Sequence, residues 1–159
     1  MAIPASYVSE MSAALPGQVS DTSKYNIDGA CVLDGDVNIL VGVAVAVKSV
    51  EAFQGHKLIE PMGESKTPYG VAIRSHFQTT SPNGEMIYEA GGGINVMTSG
   101  RVWMITKDEE AQTFGAPVKL DTDGKVKNAG AVVTGWTYAG GFTSGAIPTL
   151  QRFNCTSFN

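Results

Sequence analysis

The residues of this chain that could do chemistry are few and far apart. They are two histidines, His56 and His76, two cysteines, Cys31 and Cys155, and two short acidic clusters, Asp34-Gly35-Asp36 and Asp121-Thr122-Asp123-Gly124. Catalysis by imidazole needs a nucleophile within hydrogen-bond reach and a third group to orient the ring. His56 stands between Gly55 and Lys57, His76 sits near the end of the alternating stretch VAIRSHF, and no G-x-S-x-G elbow occurs. Both histidines therefore read as surface or packing residues. A zinc site needs ligands at short, fixed spacings, which two distant cysteines and two distant histidines do not supply. The acidic clusters begin like calcium loops but lack the in-phase third oxygen, the terminal glutamate and the flanking helices, so they read as turns. Paired carboxylates for glycoside hydrolysis leave no linear signature, and nothing here argues for them. The expectation is a chain with no catalytic residue, no metal and no cofactor.

Gly91-Gly92-Gly93 poses the remaining chemical question, because glycine-rich loops can cradle phosphate. Such a cradle opens a helix and, in its commonest class, ends in Gly-Lys-Ser/Thr. Here Gly93 leads into Ile94-Asn95-Val96-Met97-Thr98, an alternating strand pattern without lysine. The glycines are read as a bend or bulge between strands.

The elements that must position these residues are strands. The chain has 16 Val and 13 Thr against 6 Leu, and 19 Gly punctuate it at short intervals, a composition of β-formers separated by turns. Val41, Val43, Val45 and Val47 alternate with Gly42, Ala44 and Ala46, which puts large side chains on one face of a strand and small ones on the other. Further strands are predicted at 30–33, 69–77, 85–90, 94–98, 101–106, 117–120, 125–127, 131–138 and 146–153. Pro82-Asn83-Gly84 and Asp121-Thr122-Asp123-Gly124 carry the residues that hairpin loops require. Ser99-Gly100 is read as a two-residue hairpin loop, with Val102, Met104 and Thr106 on one face of the second strand and Arg101, Trp103 and Ile105 on the other. The stretch 53–68, with Gly55, Pro61, Gly63 and Pro68, is read as a long surface excursion. The fold class expected is all-β, an antiparallel β-barrel or sandwich, jelly-roll-like, with an extended N-terminal arm.

The domain plan is an arm over 1–29 and a single barrel domain over 30–159. Tyr7, Val8, Met11 and Leu15 fall at helical spacing before Pro16-Gly17, so a short helix is expected over 5–14. The polar run QVSDTSKYNIDG that follows has no periodicity. It must dock or stay mobile, because ordering costs about 1–2 kcal/mol per residue. The competing reading is a strand at the barrel edge.

Composition sets the rest. The 159 residues suffice for one self-supporting core, and only 16% are charged where about 25% is usual. So little charge fits a surface partly covered in an assembly, or a wet Gly/Ser/Thr surface. A net charge of −4 offers nothing to a phosphate backbone, so no nucleic acid partner is expected. The N-terminus has no basic, apolar leader pattern, and the apolar run 39–47 is far short of the ~20 residues of a membrane helix, so no membrane partner is expected. Cys31 and Cys155 could form a disulfide or stay as thiols; the apolar content favours thiols. Asn154-Cys155-Thr156 is a formal glycosylation acceptor that matters only on secretion.

Leu15-Pro16-Gly17-Gln18-Val19-Ser20-Asp21, Gly70-Val71-Ala72, Tyr88-Glu89-Ala90-Gly91-Gly92-Gly93-Ile94-Asn95-Val96, Gly100-Arg101-Val102-Trp103-Met104 and Gly115-Ala116-Pro117-Val118-Lys119 with Asp123-Gly124 occur in that order. In this order they resemble the structural cement, or head decoration, proteins of tailed bacteriophages. The resemblance implies a β-barrel on the outer surface of the capsid of the virion, made in the host bacterial cytoplasm. It implies binding to the major capsid protein, bridging of neighbouring subunits and no catalysis. On that reading Tyr7, Val8, Met11, Leu15, Tyr25 and Trp103 are the candidate capsid or oligomer interface, and a homo-oligomer, dimer or trimer, is expected on the shell. A carbohydrate- or receptor-binding β module of a phage particle, using Trp103, Trp136 or Tyr138 as a shallow aromatic patch, is the alternative.

Overall fold

The computed structural model describes residues 14–143 and 150–156. These form eleven strands, with no helix among the described residues: β1 (Asn26–Leu33), β2 (Ile39–Leu40), β3 (Ala44–Val50), β4 (Lys57–Pro61), β5 (Gly70–Ala72), β6 (Thr79–Thr80), β7 (Met86–Tyr88), β8 (Gly93–Ile105), β9 (Pro117–Leu120), β10 (Val132–Thr143) and β11 (Leu150–Thr156). The main sheet runs β1-β4-β3-β5-β8-β11-β10-β9, and β1 also pairs with β8. That extra pairing closes β1, β4, β3, β5 and β8 into a five-stranded barrel, while β11, β10 and β9 continue from β8 as an outer layer. β2, β7 and β6 make a separate small sheet.

The all-β expectation holds, with a correction to the antiparallel, jelly-roll-like layout. The barrel is mixed, because β1 and β4 run parallel, Cys31 opposite Lys57 and Leu33 opposite Ile59. The parallel pair exists because β4 lies inside the stretch 53–68 that was expected to be surface excursion. Ile59 in that strand is fully buried. A five-residue strand in which Lys57, Glu60 and Pro61 are three of the five residues carries too weak an alternation to stand out from loop.

The hairpin at Ser99-Gly100 does not form either. β8 is one continuous strand of 13 residues, and Gly100 is a bend within it at φ +129°. A Cβ on Gly100 would stand 2.7 Å from the Cβ of Tyr25, so the missing side chain is what lets the N-terminal segment pass over the strand. On one side of this bend β8 belongs to the barrel and on the other to the outer layer, the device by which strands switch sheets at a corner. The two-face reading of its second half survives: Val102, Met104 and Thr106 are buried, and Arg101 is exposed. The expected strand at 125–127 reduces to isolated bridges of Val126 with Leu120 and Thr106.

The valine-alanine alternation expected over 41–47 holds only in part: Gly42, at φ +87°, interrupts it before β3 begins, and Val43 packs with Ala14 and Ile105 in a separate small cluster, while the remaining residues separate two cores. Val41, Val45 and Val47 pack inside the barrel with Cys31, Leu33, Ile59, Ala72, Tyr88, Ile94 and Val96. Ala44 and Ala46 face the other way, into a core shared with Val102, Met104, Val118, Leu120, Trp136, Tyr138 and Phe153. Small side chains on that face let the outer layer approach closely, and its aromatic pair, Tyr138 and Phe153, meets with ring centroids 5.0 Å apart. Gly91, at φ +77°, bends the chain so that its N–H reaches the Leu33 carbonyl. Gly93 then starts β8, as the bend reading expected.

Candidate functional site

The groups with chemical potential are separated or already engaged. His56 lies in the β3–β4 connection and His76 follows β5. Strand polarity puts those connections at opposite ends of the barrel, so the two imidazoles cannot cooperate. Asp121 accepts from Lys107 at 2.6 Å and Asp123 from the same ammonium at 2.9 Å, while Asp34 pairs with Lys48. Lys107 holds the Asp121 carboxyl down at about 2. Burial pushes the free Cys31 thiol up to about 12, which makes it inert as a nucleophile. Among the described residues no three His, Cys, Asp or Glu side chains gather as a metal site. Two open grooves, of about 480 and 570 Å³, are lined by mixed residues with Glu60 and Lys66 in one and Arg74, Glu85 and Lys125 in the other.

One end of the barrel is fastened by a polar network. Asp28 of β1 pairs with Lys57 of β4 at 2.7 Å and accepts from the Tyr69 hydroxyl at 2.6 Å and the Ala30 N–H at 3.0 Å. Burial opposes the Asp28 charge, but the Lys57 and Tyr69 hydrogen bonds outweigh it and hold the carboxyl at about 2. Burial and the adjacent Asp28 push the Tyr69 phenol up to about 12. The network ties the parallel pair β1–β4 to the residue that precedes β5. It is a clasp, and Lys57 is the first residue after the β3–β4 turn.

Of the interface residues expected from sequence, Tyr7, Val8 and Met11 lie outside the described residues, as does most of the helix expected over 5–14. Leu15 and Tyr25 are exposed, at 45% and 52%. Trp103 is half-buried, beside a small cluster of Ala14, Val43 and Ile105. Leu15 and Trp103 thus share one neighbourhood, while Tyr25 sits at the Gly100 bend. The described part of the proposed arm lies along the outer-layer half of β8. Gly17 N–H donates to Trp103 O at 2.8 Å, Trp103 N–H to Gln18 O at 2.9 Å and Ser20 N–H to Arg101 O at 2.8 Å, and Asp21 pairs with Arg101 at 3.1 Å. Residues 26–29, grouped with the arm in the sequence reading, belong to β1. Trp136 and Tyr138 are core residues, so they cannot form the aromatic patch that a glycan-binding reading needs.

The exposed large apolar side chains mark different places. Val50 and Phe53 stand at the β3–β4 turn, the end of the barrel that also carries Tyr25. Val37, after β1, and Phe77, after β5, are exposed at the opposite end. Phe114 and Val133 are exposed on the outer layer. Phe53 escaped the sequence reading because a lone aromatic in a loop has no periodicity to test, and Phe77 because it falls at the end of the strand expected over 69–77, whereas β5 stops at Ala72. The one available signal was a phenylalanine among turn residues, Glu51-Ala52-Phe53-Gln54-Gly55.

The described residues thus form a closed barrel with an outer layer and exposed apolar side chains at both ends. The family model described as "Structural cement protein (E217 gp24/Pam3 gp6)" matches residues 3–152. The chain belongs to this phage structural cement family. No curated protein matches it in sequence. Among solved structures, a chain from "The capsid of Myoviridae Phage XM1" is similar in fold, with a TM-score of 0.72, 20% identity and 100% of both chains covered. Membership places the protein among the structural proteins of the phage capsid.

Proposed function

We propose that this protein binds the outer surface of the assembled shell, contacts the major capsid protein and bridges neighbouring subunits. The observation that carries the reading is the division of exposed apolar side chains between the two ends of one closed barrel. Val50, Phe53 and Tyr25 stand at one end, and Val37 and Phe77 at the other. A rigid body with an adhesive patch at each end can hold two subunits at a fixed separation. Binding that occurs only when both are in register favours the registered shell by mass action. A closed barrel suits the task because its own strands leave no unpaired edge, so contacts are made through side chains at its ends. The arm residues Tyr7, Val8 and Met11 are proposed as additional contacts to a neighbour, in a dimer or trimer on the shell.

The test is co-sedimentation of the purified protein with expanded heads and with unexpanded precursors, beside a variant lacking residues 1–13. Saturable binding to expanded heads is expected, with weaker binding by the truncated chain. The truncation stops at residue 13 because residues 17–20 supply hydrogen bonds to β8. No binding of the full chain to either particle would overturn the capsid reading. Equal binding by the truncated chain would remove the arm from it.

A further inference from the structure

Phe53 is 96% exposed, yet it stands on an organised turn. The Glu51 carboxylate accepts the Phe53 N–H at 3.0 Å and also the Gln54 N–H. The Glu51 N–H donates to His56 O at 2.9 Å, and the Gly55 N–H to Glu51 O at 3.1 Å, with Gly55 at φ +71°. Immediately below, the clasp of Lys57, Asp28 and Tyr69 anchors the first residue of β4. A benzyl group carried in water on a fixed turn gains nothing for this chain's own fold, and the burial of its apolar area remains available to a partner.

We infer that the β3–β4 turn is a preorganised knob whose Phe53 ring inserts into an apolar pocket on the assembled capsid protein. This rests on the capsid-binding reading and specifies where that contact is made. The turn's electrostatics fit an apolar receptor. The charged residues of 48–57 are Lys48, Glu51 and Lys57, and each is engaged within the chain, by Asp34, by the turn's own N–H groups and by Asp28. Entering a pocket therefore strips water from no unpaired charge, the usual cost of such burial. Among the described residues three grooves each carry charged side chains in their walls, Glu60 and Lys66 in one, Arg74, Glu85 and Lys125 in another and Asp123 and Lys125 in the third, which makes a second copy of this chain the weaker choice of receptor. A convex aromatic anchor on a turn whose backbone is ordered before binding also avoids part of the ordering cost of association.

The experiment measures binding of wild type, Phe53→Ala, Phe53→Leu and Glu51→Gln to expanded heads lacking this protein, with thermal unfolding and sedimentation of each variant alone. Phe53→Ala should unfold at the wild-type temperature and bind about 10- to 100-fold more weakly. Phe53→Leu should keep most of the affinity, and Glu51→Gln, which loosens the turn but keeps the ring, should lose severalfold. Unchanged binding by a folded Phe53→Ala overturns the knob while wild-type binding leaves the capsid reading intact. Failure of the wild type itself to bind overturns the capsid reading, and the knob with it. Wild-type self-association that Phe53→Ala abolishes would make the receptor a second copy and overturn the lattice pocket.

Discussion

Replacing Asp28 by Asn tests whether the clasp at the barrel end stabilises the fold through charge. The carboxyl is held at about 2 against an ordinary 3.8, and its side chain is only 13% exposed. One pKa unit corresponds to about 1.4 kcal/mol, so the ionised form contributes about 2 kcal/mol at neutral pH. The folded-state pKa is depressed, so this stability is present above the unfolded value and is lost as pH falls through the folded one. About half should remain near pH 3. Urea unfolding of wild type and Asp28→Asn, followed by near-UV circular dichroism from pH 7 to pH 2, reads the difference directly, because the other carboxylates titrate in both proteins. The variant should be less stable by about 2 kcal/mol at pH 7, about 4–8 °C in Tm for a chain of this size, and the two proteins should converge at the acid end. A difference that stays constant with pH would refute the argument, since it would trace to packing around residue 28 and not to its charge.

Two further outcomes follow from the geometry. Gly100→Ala would place a Cβ 2.7 Å from Tyr25 and 3.2 Å from Met97 Sδ, at a backbone φ of +129° that side chains disfavour, so a loss of about 2–3 kcal/mol in chemical denaturation is expected; an unchanged midpoint would mean that the corner does not need glycine. With Cys155 replaced by Ser, the Cys31 thiol, 3% exposed and raised to about 12, should ignore a thiol-specific dye at pH 8 and react fully once the protein is unfolded, whereas rapid native labelling would show that the barrel interior opens.

How far the sequence was legible depended on whether a residue's partner was near it in the chain. Period-2 alternation is a local property, so the all-β class, the faces of Ala44 to Val47 and of Val102 to Thr106, and the bend at Gly91 could be read directly, whereas Val43, beyond the Gly42 bend, left the face expected of it. The family motifs were legible for the same reason, as short local strings in order. The parallel β1–β4 pair was not, because nothing in Lys57-Leu58-Ile59-Glu60-Pro61 states that Leu33, more than twenty residues earlier, lies beside Ile59. Ser99-Gly100 has the composition of a hairpin loop and of a bend within one strand. Only the passage of Tyr25 over Gly100 and the pairing of β11 along the strand's second half decide between them.

The surface divided in the same way. The low charge of the chain was visible in its composition, but where apolar side chains would remain uncovered was not. Trp136 and Tyr138 look like binding aromatics in sequence and are buried between layers, whereas Phe53 looks like an ordinary loop residue and stands in water. Exposure depends on which layer covers which strand, a sum over distant pairings that no short segment contains. The sequence by itself therefore determined the β character, the bend at Gly91 and the family to which the motifs point. Tertiary structure alone decided which strands close the barrel and which side chains are left for a partner, because closure joins residues that the chain separates.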